Sequence, residues 1–575
     1  MRPLASCVLL LAFVGSTVAA DPLRLVPKEA NLVLKVEKPR PLIEAVTTLD
    51  ASRDYQSLPQ VKAVLDSTAA RRFFQLVEHA EAKLGAKWPE LVDALAGGGM
   101  AFGTIAGKDQ APALLVLQGT DEAKAAAAFK LFVQMLNDEL ARQSGGSDKP
   151  VTAETGTHRG ADTVRIGDDF FAARLGAVTL ISNKRPAVEK SLVLAVEPKD
   201  GESVLGHATL PAAKKLLGGD PLAWLWFDLV VAKQEKGFAD FLETARKQAF
   251  TLFAIGGTVD AVRRADFLTV GIYQTDAGLK LTGKLPAKRA DLPPEFALHV
   301  PMKPDVPGTL PLLAPPGVLY SQSLYLDIGS FWTKRKSILG EQELKDLEKA
   351  EKDISKLLPN TTFGKLLEMS GPHHRFVAVE RGINHYQTRP DFPLPEMAVV
   401  SSMRDPEFGK VMNTTLRTAA ALAGLQFGLK MTEEKHDGVD IVSYRFAENK
   451  PLDADPTNVR YNFVPSFAVA NGFLVVASSP QLLKDLLPEV KKPVDPAACS
   501  PAVWRNRVYG AGAAAGLKAR SEAVITDAVL GQGIGLDEAK KQVEQLAKFL
   551  GTLGTLGVEV EHGAEAFRFE IEWKR

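Results

Sequence analysis

Thr157-His158-Arg159-Gly160-Ala161-Asp162-Thr163-Val164 returns later in the chain as Lys435-His436-Asp437-Gly438-Val439-Asp440-Ile441-Val442. Both stretches read H-x-G-x-D-x-V. A second block follows each in the same order. The first is Phe171-Ala172-Ala173-Arg174-Leu175-Gly176-Ala177-Val178-Thr179-Leu180-Ile181-Ser182. The other is Phe467-Ala468-Val469-Ala470-Asn471-Gly472-Phe473-Leu474-Val475-Val476-Ala477-Ser478. Phe, Ala, Gly and Ser recur at one spacing, and the second copy carries an extra polar, Pro-containing insertion near Asn449 to Asn458. Several blocks repeated in one order point to an internal duplication.

Working outward, the match widens. Leu114 to Leu117 runs into Asp121 and a helical pattern, and Met397 to Val400 runs into Asp405-Pro406 and another. Asn31 to Val36 and Leu319 to Leu326 each follow a Pro-containing turn. Each half closes with a helix and a strand pair. One pair turns at Asp276-Ala277-Gly278, the other at His562-Gly563-Ala564. Residues 293–316 hold eight prolines, at 293, 294, 301, 304, 307, 311, 315 and 316. Proline breaks both helix and sheet. The expected organisation is a first module over 21–292, a Pro-rich linker over 293–316 and a second, duplicate module over 317–575.

Within a module the spacing separates helices from strands. Phe129, Phe132, Val133, Leu136 and Leu140 make one apolar helical face behind an Asp121 N-cap. In the second copy Asp405 caps and Pro406 suits the first helical position. Phe238, Phe241, Leu242, Ala245, Ala249 and Leu252 form another face, matched by Leu536, Ala539, Val543, Leu546, Phe549 and Leu550. Charged helices are expected near 60–84 and 340–357. Phe567, Phe569, Ile571 and Trp573 alternate with Arg568, Glu570 and Glu572, the pattern of a half-buried antiparallel strand. The predicted fold is α+β: two tandem homologous modules, each a mainly antiparallel sheet with helices packed on one face. A doubly wound parallel sheet is the alternative.

The composition fits this plan. The 575 residues are 46% hydrophobic and 24% charged, which excludes disordered, collagenous and disulfide-stapled chains. Length alone predicts three or four domains, a count the duplication lowers. Lys plus Arg and Asp plus Glu are both 69, so the chain lacks the basic excess of a nucleic-acid binder. Residues 1–20 join a short basic start, an apolar run from Val8 to Val14 and small residues at Val18-Ala19-Ala20. This is the pattern of a signal peptide cut before Asp21, too short to span a bilayer. An exported protein, periplasmic or extracellular and without a transmembrane anchor, is expected. Cys7 precedes the apolar run, where a lipidation cysteine would follow it. Cutting leaves Cys499 alone in a loop-like setting, so no intramolecular disulfide is expected.

Two sets of residues have the composition of a chemical site. His158 with Asp162, and His436 with Asp440, combine a base with a carboxylate. On an extended strand, residues i and i+4 are about 13 Å apart, so a turn at Gly160 and Gly438 is the preferred reading, with low-ranked ligand binding as the other. His373, His374, Glu380 and His385 are a zinc set by type, but neighbouring histidines on a strand face opposite ways. Gly99 and Met100 stand in the corresponding region of the first copy. No metal or cofactor is therefore favoured. Trp224 and Trp226 suit either a ligand face or the core, with core preferred. The Gly-rich Gly510 to Gly516 matches no nucleotide-binding spacing.

Gly472-Phe473-Leu474-Val475-Val476-Ala477-Ser478-Ser479-Pro480 and the repeated strand-plus-helix units resemble large bacterial exported proteins classed only as a domain of unknown function. That resemblance implies an exported protein and no catalytic residue. The reading from sequence is a non-enzymatic envelope protein that binds an envelope protein or a small ligand through a groove or an exposed sheet face. The alternative is an exported metal-dependent or other hydrolase using the His-containing second module.

Overall fold

Arg159 and Gly160 take φ of 51° and 80°, and Asp437 and Gly438 take 48° and 80°. Two successive left-handed residues are what a two-residue type I′ hairpin needs. His158 accordingly pairs with Ala161 and His436 with Val439, and Asp162 and Asp440 lie on the strands that follow. The computed structural model describes residues 21–575 except 48–49, 108–109, 144–151, 248, 277, 302, 304–305, 357, 383 and 451. The expected signal peptide, with Cys7, and Ala277 of the first closing turn lie outside the described residues.

The chain divides into two compact units. The first holds the described residues up to Val46, Asp66–Glu235 and Phe267–Tyr273; the second holds Thr47–Leu65, Lys236–Asp266 and Gln274–Arg575. This division differs from a cut at residue 292, because helical segments from the first half of the chain go with the second unit.

The first unit is built on β1 (Leu32–Val36), β2 (Met100–Thr104), β3 (Ala113–Gln118), β4 (Glu154–His158), β5 (Ala161–Ile166), β6 (Phe170–Leu175), β7 (Val178–Ser182), β8 (Ala223–Asp228) and β9 (Phe267–Thr275). Their order is β9-β8-β1-β2-β3-β7-β6-β5-β4, antiparallel throughout. Alternate residues Val33, Ala101, Leu114, Val116 and Leu180 face one side. There they pack on Leu192 of helix Arg185–Val196 and Leu210 of helix Thr209–Leu217. Trp224 and Trp226 are both buried in this core. The opposite face is covered at its β5–β7 end, where Phe129 and Val133 of helix Glu122–Gln143 meet Val164, Ala172 and Ile181.

The second unit carries β10 (Gly278–Leu285), β11 (Val318–Tyr325), β12 (Ser370–Val379), β13 (Glu396–Met403), β14 (Leu429–His436), β15 (Val439–Phe446), β16 (Ser466–Ala470), β17 (Phe473–Ala477), β18 (Trp504–Tyr509), β19 (Thr555–His562) and β20 (Phe567–Lys574). The order is β10-β20-β19-β18-β11-β12-β13-β17-β16-β15-β14. From β19 onward it retraces the first unit strand for strand. Every described pairing is antiparallel, which excludes the doubly wound alternative, and the fold is α+β. Val377, Ala398, Val400 and Val475 bury against Leu482, Leu483, Leu486 and Leu487 of helix Pro480–Lys491. Helix Glu407–Phe427 lies on the other face, through Phe408 and Val411 against Leu474.

The register corrects one detail of the sequence match. Leu175 pairs with Val178 across Gly176-Ala177, and Ala470 with Phe473 across Asn471-Gly472. Leu180 therefore corresponds to Val475, one residue away from the pairing that aligning Phe171 with Phe467 gives. Leu180 and Val475 are both fully buried, whereas Val476 is 38% exposed, as expected when a one-residue slip turns a side chain to the other face.

Within 293–316 the described residues are packed rather than strung out. They include the 3-10 helix Pro294–His299, and Leu298, Val300, Leu310 and Leu313 are buried. Proline excludes helix and ladder there but leaves apolar neighbours free to enter a core. The helices expected near 60–84 and from Phe238 to Leu252 are each broken in two. Ser67 caps Thr68–Leu84 after Pro59–Leu65, and Lys236–Lys247 precedes Ala249–Arg264. Helix Asp50–Gln56 belongs to the second unit: Tyr55 lies 5.8 Å from the Phe549 ring, and Asp54 3.5 Å from Lys548 Nζ. Among the described residues no helix is long and apolar enough to cross a membrane.

Candidate ligand cavity of the second unit

β12 ends at Val379, paired with Glu396 at the start of β13. The chain between them, residues 380–395, holds two arginines and three prolines. A second long connection, residues 447–465, joins β15 to β16. The two loops fix each other. Tyr386 Oη donates to Phe463 O at 2.9 Å and accepts from Phe446 N at 3.0 Å. Leu394 N donates to Asn462 Oδ1 at 2.8 Å, and Thr388 N to Glu448 Oε2 at 2.8 Å. The rings of Tyr386 and Tyr461 lie 4.9 Å apart, both buried. Burial also pushes the Tyr386 phenol above its usual pKa, so it remains a neutral donor.

These loops, with the junction of helices Gly510–Ala519 and Ser521–Gln532, enclose a cavity of about 780 Å³. That is within the range of small-molecule sites. Arg520 sits at the helix junction. Its Nη1 donates to Glu380 Oε2 and to Gly516 O, each at 2.7 Å. Its Nη2 is buried with no hydrogen-bond partner among the described residues. On the other side, Arg381 is ion-paired to Asp485, and its Nε lies 3.6 Å from Glu396 Oε2.

Glu396 is the most unusual group in the cavity. Its side chain is 7% exposed. Oε1 stands 2.9 Å from His385 Nε2, an ion-pair separation without hydrogen-bond alignment, and neither carboxylate oxygen accepts a hydrogen bond from any described residue. A buried carboxylate normally has its lone pairs filled, because desolvation without compensation costs several kcal/mol. Glu396 thus lines the cavity with two acceptors that receive no hydrogen bond from a described residue, and Arg520 with one such donor, all three atoms buried. The lining holds five carboxylates, Glu380, Asp391, Glu396, Glu522 and Asp527, against three guanidiniums, Arg381, Arg389 and Arg520. The balance favours a neutral or cationic occupant over an anion.

The sequence candidates separate. Glu380 and His385 line this cavity. His373 and His374 do not: they alternate on β12. His373 Nε2 lies 3.0 Å from Pro307 O, and His374 contacts Ser401 Oγ at 3.0 Å and Leu326 O at 3.2 Å. Burial lowers the pKa of both. They are core hydrogen-bonding residues. Among the described residues, no three His, Cys, Asp or Glu side chains are placed to hold one metal ion. Asp162 pairs with Arg174, whose Nε is 3.1 Å away, rather than with His158. Asp440 stands opposite Lys435 in the ladder, and His436 Nε2 is 3.8 Å from Asp437. Cys499 Sγ donates weakly to Asp495 O at 3.5 Å, and burial pushes its thiol up, away from nucleophilic character.

Sequence reasoning missed Arg381, Glu396 and Arg520. One signal was present: the β12–β13 connection is twice as long as its β2–β3 counterpart, residues 105–112, and long structured loops in compact units tend to be functional. No family model, curated protein or solved structure matches the chain.

Proposed function

We propose that the protein is an exported, non-enzymatic binding protein of the cell envelope. Two duplicated modules provide the frame, and the second takes a small polar ligand in its cavity. The observation that carries the proposal is Glu396, a buried carboxylate in the cavity lining with neither oxygen accepting a hydrogen bond from a described residue. The ligand is neutral or cationic and presents hydrogen-bond donors to Glu396 and an acceptor to Arg520. The retraced strand order supports duplication, and the apolar run before Asp21 supports export. Asp21 is itself anchored: its carboxylate accepts from Leu23 N at 3.0 Å and lies 3.1 Å from the buried Lys35 Nζ.

The test is thermal denaturation of the chain from Asp21 onward against neutral sugars, polyols and polyamines. A ligand at a hundred times its Kd adds about 2.7 kcal/mol, and Glu396→Gln should abolish the shift. Equal shifts for wild type and variant, or none with any probe, would defeat the proposal. N-terminal sequencing of the native protein should begin at Asp21.

A hydrolase is the second reading, favoured by His385 lying against Glu396 as a base beside a carboxylate. It requires turnover that His385→Ala removes while ligand binding survives.

A further inference from the structure

The first unit has a pocket of its own, of different chemistry and about 410 Å³. The turn before β1, the end of β2, the start of β3 and the first turns of helix Arg185–Val196 form it. Val26, Ala30, Ile105, Leu114 and Ala187 supply its walls, and they carry no side-chain hydrogen-bonding group. The helix is held down from beneath, where Ser191 Oγ donates to Leu25 O at 2.7 Å and Leu192 is buried. The pocket is therefore framed by fixed elements.

Its mouth is charged. Lys184 and Lys190 both line it, with one carboxylate, Glu29, between the turn and the helix. Lys190 is paired to Glu29, with both side chains more than half exposed. Lys184 Nζ lies 3.4 Å from Asp169, whose side chain is 89% exposed. Exposed pairs of this kind are weak, so a ligand carboxylate can replace either partner at little cost. Apolar walls under two exchangeable ammonium groups complement a molecule with a hydrocarbon tail and a single anionic head.

We infer that this pocket binds a free medium-chain fatty acid, its tail against Ile105 and Leu114 and its carboxylate on Lys190 and Lys184. The site is separate from the polar cavity and does not depend on that reading.

Calorimetric titration of the chain from Asp21 onward with octanoate, decanoate and dodecanoate tests the assignment. Saturable one-to-one binding is expected, tightening about fourfold per added methylene. Lys190→Glu should weaken every acid about tenfold and leave the chain-length dependence intact. Ile105→Asp should remove that dependence. Glu396→Gln should change nothing. Circular dichroism of each variant checks that it folds, and Lys190, at the rim, is the variant least able to disturb the core. Absence of saturable dodecanoate binding would overturn the inference. So would binding indifferent to Ile105→Asp, decanol binding as tightly as decanoate, or uptake from phospholipid vesicles without binding of the free acid.

Discussion

Both pockets reach the connection between the second and third strands of the same strand order, β2–β3 or β12–β13, yet their chemistry is opposite. The first lies beside the first turns of the twelve-residue helix Arg185–Val196; the second is bordered by the junction of helices Gly510–Ala519 and Ser521–Gln532, and its Arg381 pairs with Asp485 of the twelve-residue helix Pro480–Lys491. Lys190 and Asp485 are each the sixth residue of their twelve-residue helix. Leu114 faces Ser182, and Ala398 faces Ala477. Counting back two residues puts Pro112 where the second unit has Glu396. An apolar pocket with an ammonium rim thus corresponds to a polar cavity with a buried carboxylate. The frame stays constant, and two loop insertions and a few side chains change the chemistry.

The contrast extends into the cores. β8 sets Trp224 opposite Lys35 and Trp226 opposite Val33, whereas β18 sets Arg505 opposite Ser323 and Arg507 opposite Ser321. Lys35 is buried but paired, 3.1 Å from Asp21 and 2.8 Å from Glu37. Arg375 is also buried and has no carboxylate in an ion pair among the described residues. It lies 5.0 Å from the Phe473 ring centre, and burial lowers it to a pKa of about 10.

Substitutions can break this comparison. Trp226→Ala should cost the first unit about 4 kcal/mol, while Arg507→Ala at the matching position should cost about 1 kcal/mol or less; urea denaturation measures both. Equal costs would mean the two cores are used alike. Next in size is Arg520→Ala, which leaves Glu380 buried and unpaired and should destabilise the second unit by about 3 kcal/mol. Lys190→Ala removes an exposed pair and should stay below about 1 kcal/mol.

Acid should sharpen the difference further. Burial, with His299, Arg264 and Arg289 nearby, lowers His562 to a pKa of about 3, and His373 and His374 are lowered too. Their neutral folded forms cost nothing above the unfolded pKa of about 6.5. As pH falls below that value the unfolded chain takes up protons that the folded chain refuses, so stability is lost progressively toward pH 3. His562 alone should cost about 2 kcal/mol between pH 6.5 and pH 5. All three histidines belong to the second unit, so that unit should melt first in acid, and His562→Gln should flatten the profile. The smallest change is expected from Glu396→Gln. Replacing a buried carboxylate that accepts no hydrogen bond from a described residue should change stability by no more than about 1 kcal/mol, even as it removes the proposed ligand response. A larger loss of stability would mean that Glu396 is structural.

Much of the fold was readable because the signals were local. Gly160 and Gly438 fixed two hairpins, the alternation from Phe567 to Trp573 fixed the closing strand, and Asp121 marked a helix start: Lys124 N donates to its carboxylate at 2.9 Å. Register was less legible. Glycine is the first residue of the two-residue turn Gly176-Ala177 and the second of Asn471-Gly472, so aligning the glycines shifts the match by one. The Pro-rich stretch reads as a linker in the sequence, yet Leu298, Leu310 and Leu313 within it are buried. Protease should consequently find no ready cut within 294–299. Of the cavity, Glu380 and His385 were visible as residue types. Glu396, Arg381 and Arg520 were not, since charged residues give no periodic signal of burial and Arg520 is remote in sequence from its partner, Glu380.

The contact between Tyr55 and Phe549 joins two helices far apart in the sequence. Helix Asp50–Gln56 emerges long before Leu536–Thr552 exists to receive it. The early helix has to wait for that partner while the chain between them is made. Any chaperone serving this protein has to keep that segment from premature partners until then.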